Sequence, residues 1–212
     1  MSKKKVSVSY LSSKDIVNDL KKLDDTSADF IHVDVMDGKF VPNKTLPFSE
    51  IKNIYKFTNK RLDVHLMTKD IEKDIKKYAS LNVEYITFQI EVDKNIEENL
   101  KLIKNYSIKS GLAISPSTKV KELVPYLPLI DMILVMSVEP GAGGQEFIKE
   151  TENKLKEVKA LLKSYKKDIV ISVDGGIDNN TKKYCENADM LVSGSYIVLG
   201  SANFEEKINS LR

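Results

Sequence analysis

The chain has 212 residues, 42% of them hydrophobic and 30% charged, with 33 basic against 31 acidic side chains and a net charge of +2. That length suits one domain or a small pair, with a lean to one, and the composition allows a sizeable core; the near-balance of charge excludes nucleic-acid binding through bulk electrostatics. The single cysteine excludes an internal disulfide framework, and no apolar run approaches the roughly 18 residues of a membrane span.

The opening Met1-Ser2-Lys3-Lys4-Lys5 is basic like the head of a signal peptide, but VSVSYLSSK after it holds too many serines for an apolar signal core. The chain therefore reads as a soluble, cytoplasmic protein. A β-rich run at 5–10 (KVSVSY) comes first, then 30–36 (FIHVDVM) and 62–67 (LDVHLM). From Asp70, DIEKDIKKYASL sets Ile71, Ile75, Tyr78 and Ala79 along one helical stripe. A strand at 84–90 (EYITFQI) is followed by NIEENLKLIKNY, a helix with Ile96, Leu100 and Ile103 on one side. Strands at 110–115 (SGLAIS) and 131–137 (DMILVMS) precede a glycine-rich stretch, and a long helix is expected over 147–165. Its stripe is Leu155, Val158, Leu161 and Leu162. Strands at 169–174 (IVISVD) and 190–194 (MLVSG) complete eight.

Eight strands in units of roughly 25 residues predict a single-domain (β/α)8 TIM barrel of parallel strands over residues 1–212, with an open doubly wound sheet as the alternative. Glycine placement favours the barrel. Gly38, Gly141, Gly143, Gly144, Gly175, Gly176 and Gly194 all fall at or just after strand ends, where barrel active sites are built.

Both histidines sit in strands. Alternation puts His32, Asp34 and Met36 on one face, and Asp63, His65 and Met67 on one face of the next strand. Buried carboxylates are expensive unless compensated, and a divalent ion held by histidine and carboxylate would compensate them. A strand histidine can equally be a hydrogen-bonded core residue, and the residue pattern leaves both readings open. Asp174 ends a strand and is followed by Gly175-Gly176. The segment VEPGAGGQEF, 138–147, lacks the ending of a P-loop and the spacing of a dinucleotide fingerprint. Read as a glycine-rich loop feeding a helix, it offers N–H groups to an anion. VSGSY, 192–196, lies where barrels often bind phosphate. Only Arg61 and Arg212 are arginines, so backbone N–H groups are the expected anion donors.

The segments HVDVMDGKFVPN, LDVHLM, VMSVEPGAGGQEF, SVDGGI and VSGS, in that order, resemble the ribulose-phosphate 3-epimerase family over essentially the whole chain. Allulose-6-phosphate epimerases share parts of the pattern. The resemblance implies that His32, Asp34, His65 and Asp174 bind one divalent metal, zinc by ligand type, with iron, manganese or cobalt as alternatives. It implies that Asp34 and Asp174 are the acid/base pair. Ser9, His65, Met36, Met67 and Met136 would line the substrate, with Gly141, Ala142, Gly143, Gly144, Gly175, Gly176, Gly194 and Ser195 in the substrate and phosphate loops. The partner implied is a small ketose phosphate, and the assembly a homo-oligomer.

The chain departs from the family at Ala142, where an aromatic residue is usual, and at Gln89, where histidine is common. It also departs at Leu46-Pro47 and at Ser7-Val8. None of these is a proposed ligand or base. Epimerisation next to a carbonyl removes a proton from one face of the carbon and returns one to the opposite face of the enediolate so formed, which requires two carboxyl groups. A ketohexose-phosphate epimerase and a non-catalytic phosphosugar-binding barrel are the competing expectations. A decarboxylase or aldolase barrel would ordinarily recruit a lysine, and no lysine lies beside the histidines at the strand ends.

Overall fold

Val, Ile and Leu alternate with polar or small residues through most of the predicted strands, and this alternation decides which side chains face the barrel axis. The computed structural model describes residues 3–92, 94–165, 167–200 and 203–212. The strands are β1 (Lys5–Ser9), β2 (Phe30–Met36), β3 (Leu62–Met67), β4 (Val83–Gln89), β5 (Lys109–Ile114), β6 (Met132–Met136), β7 (Val170–Asp174) and β8 (Met190–Ser193). Each end falls within one residue of the sequence expectation. The strands pair in chain order and all in parallel, and β1 closes on β8 with Val6 opposite Leu191. Closure rules out the open doubly wound sheet.

Among the described residues seven α-helices surround the strands: α1 (Ile16–Asp24), α2 (Phe48–Ile54), α3 (Ile71–Tyr78), α4 (Ile96–Asn105), α5 (Thr151–Tyr165), α6 (Ser195–Val198) and α7 (Phe204–Ser210). Asp70 caps α3 by accepting from the Lys73 N–H, and the helix buries Ile71, Ile75 and Tyr78 as its spacing predicts. Outward-facing Val33, Val64, Ile86 and Val135 join the helix stripes in one continuous apolar shell.

Two features differ from the sequence expectation. The connections from β5 to β6 and from β7 to β8 carry 3-10 turns, at Val120–Tyr126 and Lys182–Cys185. Pro125 sits inside the first and cannot donate to an α-helical ladder. The long helix begins at Thr151 rather than at 147. Phe147 is drawn into the core, where its ring stacks on Tyr184 with centroids 5.8 Å apart. The Ile148 N–H donates to the Ser137 carbonyl at 2.8 Å, which holds this segment against the end of β6. The glycine-rich loop therefore does not run straight into a helix N-terminus.

Inside the barrel the side chains are layered. Phe30, Tyr85, Met132 and Met190 cluster at the end where the strands begin, with Phe30 and Tyr85 edge to face. Polar residues lie above this plug. One irregularity matters for them: the β3–β4 register shifts between Leu62 and Asp63, so Leu62 pairs with Val83 but Asp63 pairs with Tyr85. Beyond this bulge His65 pairs with Thr87, and Tyr85, Thr87 and Gln89 share the interior face.

Lys154 on α5 ties that helix to the loop after β5. Its ammonium donates to the carbonyls of Ser115 (2.8 Å), Pro116 (2.7 Å) and Thr118 (2.8 Å). Lys154→Met leaves these three carbonyls without their charged donor. The expected loss is about 1–2 kcal/mol, a fall in Tm of roughly 2–8 °C. An unchanged melting temperature would show the cap to be dispensable.

Candidate active site

Register brings the site together. Asp34 on β2 is the direct neighbour of His65 on β3, and His32 is the neighbour of Asp63. Asp174 ends β7, opposite Met136. One ligand atom from each of His32, Asp34, His65 and Asp174 lies within 4.8 Å of the others, among the described residues. His32 Nε2 is 3.4 Å from Asp34 Oδ1 and 3.7 Å from Asp174 Oδ2. His65 Nδ1 is 3.6 Å and 4.0 Å from the same two oxygens.

The two ring nitrogens that face this centre, His32 Nε2 and His65 Nδ1, are buried and have no hydrogen-bond partner. Buried polar atoms rarely go unpartnered. Two imidazole lone pairs and two carboxylate oxygens converging on one point make a donor set that fits a divalent ion. The residues present therefore fit the metal their types suggested, and the cluster can hold one ion.

The far side of each histidine is held differently. His32 Nδ1 lies 2.8 Å from Asp63 Oδ2, an oxygen that also accepts from the Ser7 hydroxyl at 3.0 Å. His65 Nε2 lies 3.0 Å from the Gln89 amide. Ser9 donates its hydroxyl to Asp34 Oδ2 at 2.9 Å, which fixes that carboxylate. The sequence reading placed Asp63 on the right face but gave it no role. A metal-ligating histidine needs its other nitrogen oriented, and Asp63→Asn is expected to weaken metal binding about 10–100-fold. Unchanged affinity in a chelator competition would remove Asp63 from the site.

The carboxyls are not equivalent. Burial pushes Asp34 up, but His32 and His65 outweigh it and hold the group well below the usual carboxylate range. Burial raises Asp174 to about 6, with Asp34 adding to the rise and both histidines opposing it. Burial lowers His32, yet the charges of Asp34 and Asp63 hold it well above the usual imidazole range. The pair thus has one member firmly ionised and one able to carry a proton near neutrality.

Above the cluster lies a hollow lined by Ser9, Asp34, Met36, Met67, Met136 and Asp174. Gly141, Ala142, Gly143 and Gly144 cover one side, and Gly175, Gly176, Gly194 and Ser195 the other. Every expected substrate residue is on this wall except His65, which is wholly buried beneath it. The hollow has a volume of about 60 Å³, and a second of about 390 Å³ shares Asp34, Met36 and Gly141 to Gly143 with it. Small-molecule pockets run upward from about 300 Å³, and the two adjoining hollows together exceed that size. Leu46 and Ala142 line the larger part.

The covering loop is fastened at both ends. Asn43 donates to the Gly141 carbonyl at 2.7 Å, and the Gln145 amide donates to the carbonyls of Glu139 and Ala142. A polar residue closing a glycine-rich stretch was the only sign of Gln145 in the sequence. Gly176 has φ +61°, and a Cβ there would sit 2.8 Å from both the Gln145 carbonyl and the Phe147 nitrogen. Only glycine lets the loops after β6 and β7 approach so closely. Ser195 opens α6 beside Gly194, and both residues line the hollow.

Carboxyls at the strand C-termini of a closed βα barrel mark the chain as a TIM-barrel enzyme. The profile of the "Ribulose-phosphate 3 epimerase family" matches residues 5–198. The chain belongs to the ribulose-phosphate 3-epimerase family, and it is an enzyme of the isomerase class. It is 38% identical to a ribulose-phosphate 3-epimerase of Buchnera aphidicola over 197 residues, covering 92% of this chain and 86% of that one. Against the Bacillus subtilis ribulose-phosphate 3-epimerase it is 34% identical over 198 residues, 92% of this chain and 91% of the relative. Among solved structures, 3-hexulose-6-phosphate synthase from Salmonella typhimurium superposes with a TM-score of 0.69 at 18% identity, covering 98% and 96% of the two chains. Phosphoribosyl anthranilate isomerase from Thermococcus kodakaraensis gives 0.64 at 13%, covering 99% and 97%. Those two likenesses are of fold alone.

Proposed function

We propose that this chain interconverts D-ribulose 5-phosphate and D-xylulose 5-phosphate by inverting C3, with Asp34 and Asp174 as the two acid/base groups. One observation carries the reading: in a chain of this epimerase family, both carboxyls meet both histidines within 4.8 Å at the barrel mouth. The carboxylate that starts ionised takes the C3 proton, and the electrons of that C–H bond move into an enediolate. The other carboxyl gives its proton to the opposite face of C3, which leaves the two groups with exchanged protonation. The low-lying Asp34 and the raised Asp174 supply this asymmetry before substrate arrives.

His32, Asp34, His65 and Asp174 would hold the divalent ion, zinc by donor type. Bound there, it supplies Lewis-acid stabilisation of the enediolate oxygens. Ser9 keeps Asp34 aimed at the mouth. Met36, Met67 and Met136, all buried, exclude water beside C3. Gly175, Gly176, Gly194 and Ser195 grip the phosphate through backbone N–H groups, and that remote hold keeps C3 between the carboxyls. Gly141 to Gly144 cover the sugar. A cytoplasmic homo-oligomer belongs to the same reading and rests on the family resemblance. Among the described residues, no helix is long and apolar enough to cross a membrane.

The test is to incubate protein of measured metal content with ribulose 5-phosphate. Xylulose 5-phosphate should form, and in D₂O it should carry deuterium at C3. Failure of both with metal-loaded protein would overturn the assignment. The extra room beside Ala142 favours a ketohexose phosphate as the second reading. Comparing kcat/KM on pentose and hexose ketose phosphates separates the two.

A further inference from the structure

We infer that Gln89 is a positioning residue that decides which nitrogen of His65 carries the proton. In this assignment the amide carbonyl accepts the Nε2 proton, so Nδ1 keeps its lone pair toward Asp34 and Asp174. The inference rests on the reading that the four-residue cluster holds a divalent ion.

Gln89 is fully buried at the end of β4, on the interior face it shares with Tyr85 and Thr87. Its amide nitrogen is placed 3.0 Å from His65 Nε2, and the Ser115 hydroxyl lies 3.5 Å from its amide oxygen. A half-turn about the last side-chain bond exchanges oxygen and nitrogen without changing the shape of the group. The two orientations have opposite consequences for the ring. With the amide nitrogen toward Nε2, that atom must accept, and the ring proton sits on Nδ1. His65 would then donate toward the carboxylates and could not ligate. With the amide oxygen toward Nε2, the ring proton sits there, and Nδ1 is free to bind an ion. The buried, unpartnered Nδ1 selects the second orientation once the cluster is a ligand set. Ser115 accommodates it, because its hydroxyl oxygen can accept from the turned amide.

The two histidines are thus oriented by unlike partners. Asp63 holds His32 with a charge, whereas Gln89 holds His65 with a neutral dipole. The neutral partner adds no further negative charge to a centre that already contains Asp34, Asp63 and Asp174.

Three variants separate proton placement from packing. Gln89→Met keeps the length and removes the acceptor, and it should weaken zinc binding about 10–100-fold in a chelator competition. Gln89→Glu keeps an acceptor and should restore affinity to at least the wild-type value. Gln89→Leu, which also lacks an acceptor, should behave like Gln89→Met. On wild-type protein loaded with zinc, nitrogen NMR should show His65 protonated at Nε2 and metallated at Nδ1, a readout that depends on no variant folding. Wild-type affinity in Gln89→Met, or a proton found on Nδ1, would overturn the inference while leaving the metal site intact. A wild-type chain that binds no zinc would overturn the metal reading and this assignment together.

Discussion

Asp34→Asn and Asp174→Asn should each fold normally and lose epimerase turnover by about 10²–10⁴-fold, the usual span for removing a positioned acid or base. The isotope pattern is more telling than the rate. With one carboxyl gone, the survivor can still remove a proton from the face it touches, but it can only return one to that same face. Each variant should therefore exchange the C3 hydrogen of one epimer with D₂O and leave the other untouched. The two variants should show opposite preferences. Asparagine keeps an oxygen ligand and the shape of the site, so a collapse of the fold is not expected to intervene. Near-normal turnover in either variant, or exchange of both epimers by one of them, would remove that residue from the proton route.

The second large effect concerns the histidines. His32→Ala removes a ligand and also strips Asp63 of its ring partner, leaving Ser7 as that carboxylate's neighbour. Loss of a supporting group typically weakens metal binding by up to about 100-fold, and loss of a ligand should exceed this. Breaking one side of a buried ion pair costs about 3–5 kcal/mol, so a drop in Tm should accompany it. His65→Ala should lose metal with a smaller stability change, since Gln89 is uncharged. Elemental analysis after dialysis and thermal melts check both. Unchanged metal content would contradict the ligand assignment.

The same residues set a pH dependence. His32 is held well above the ordinary imidazole range by Asp34 and Asp63, against its burial. It therefore carries a proton at neutral pH when no ion competes, and binding must release it. Apparent affinity should rise as pH rises and fall in mild acid, with proton release visible in weakly buffered solution. Affinity independent of pH would place the ion elsewhere.

Much of this was legible in the chain, for identifiable reasons. Alternation alone put His32 with Asp34 and Asp63 with His65, because side chains in a strand change face at every residue. It could not say that His32 meets Asp63 across β2 and β3, since pairing register is a property of two strands. Gln89 was visible only as a departure, because the partners of its amide, His65 and Ser115, come from other segments of the chain. The late start of α5 was hidden for another reason. Phe147 and Ile148 suit a helical stripe, and only the finished core shows Phe147 spent on Tyr184. The 3-10 turn at Val120–Tyr126 left a weak trace in Pro125.

The plug of Phe30, Tyr85, Met132 and Met190 seals one end of the barrel. With that floor shut, the ion and sugar proposed for this site would share a single doorway. On the function proposed here, a seated phosphosugar acts as a cork. The ion could leave only between turnovers, so an enzyme kept saturated should resist chelators far longer than one standing idle.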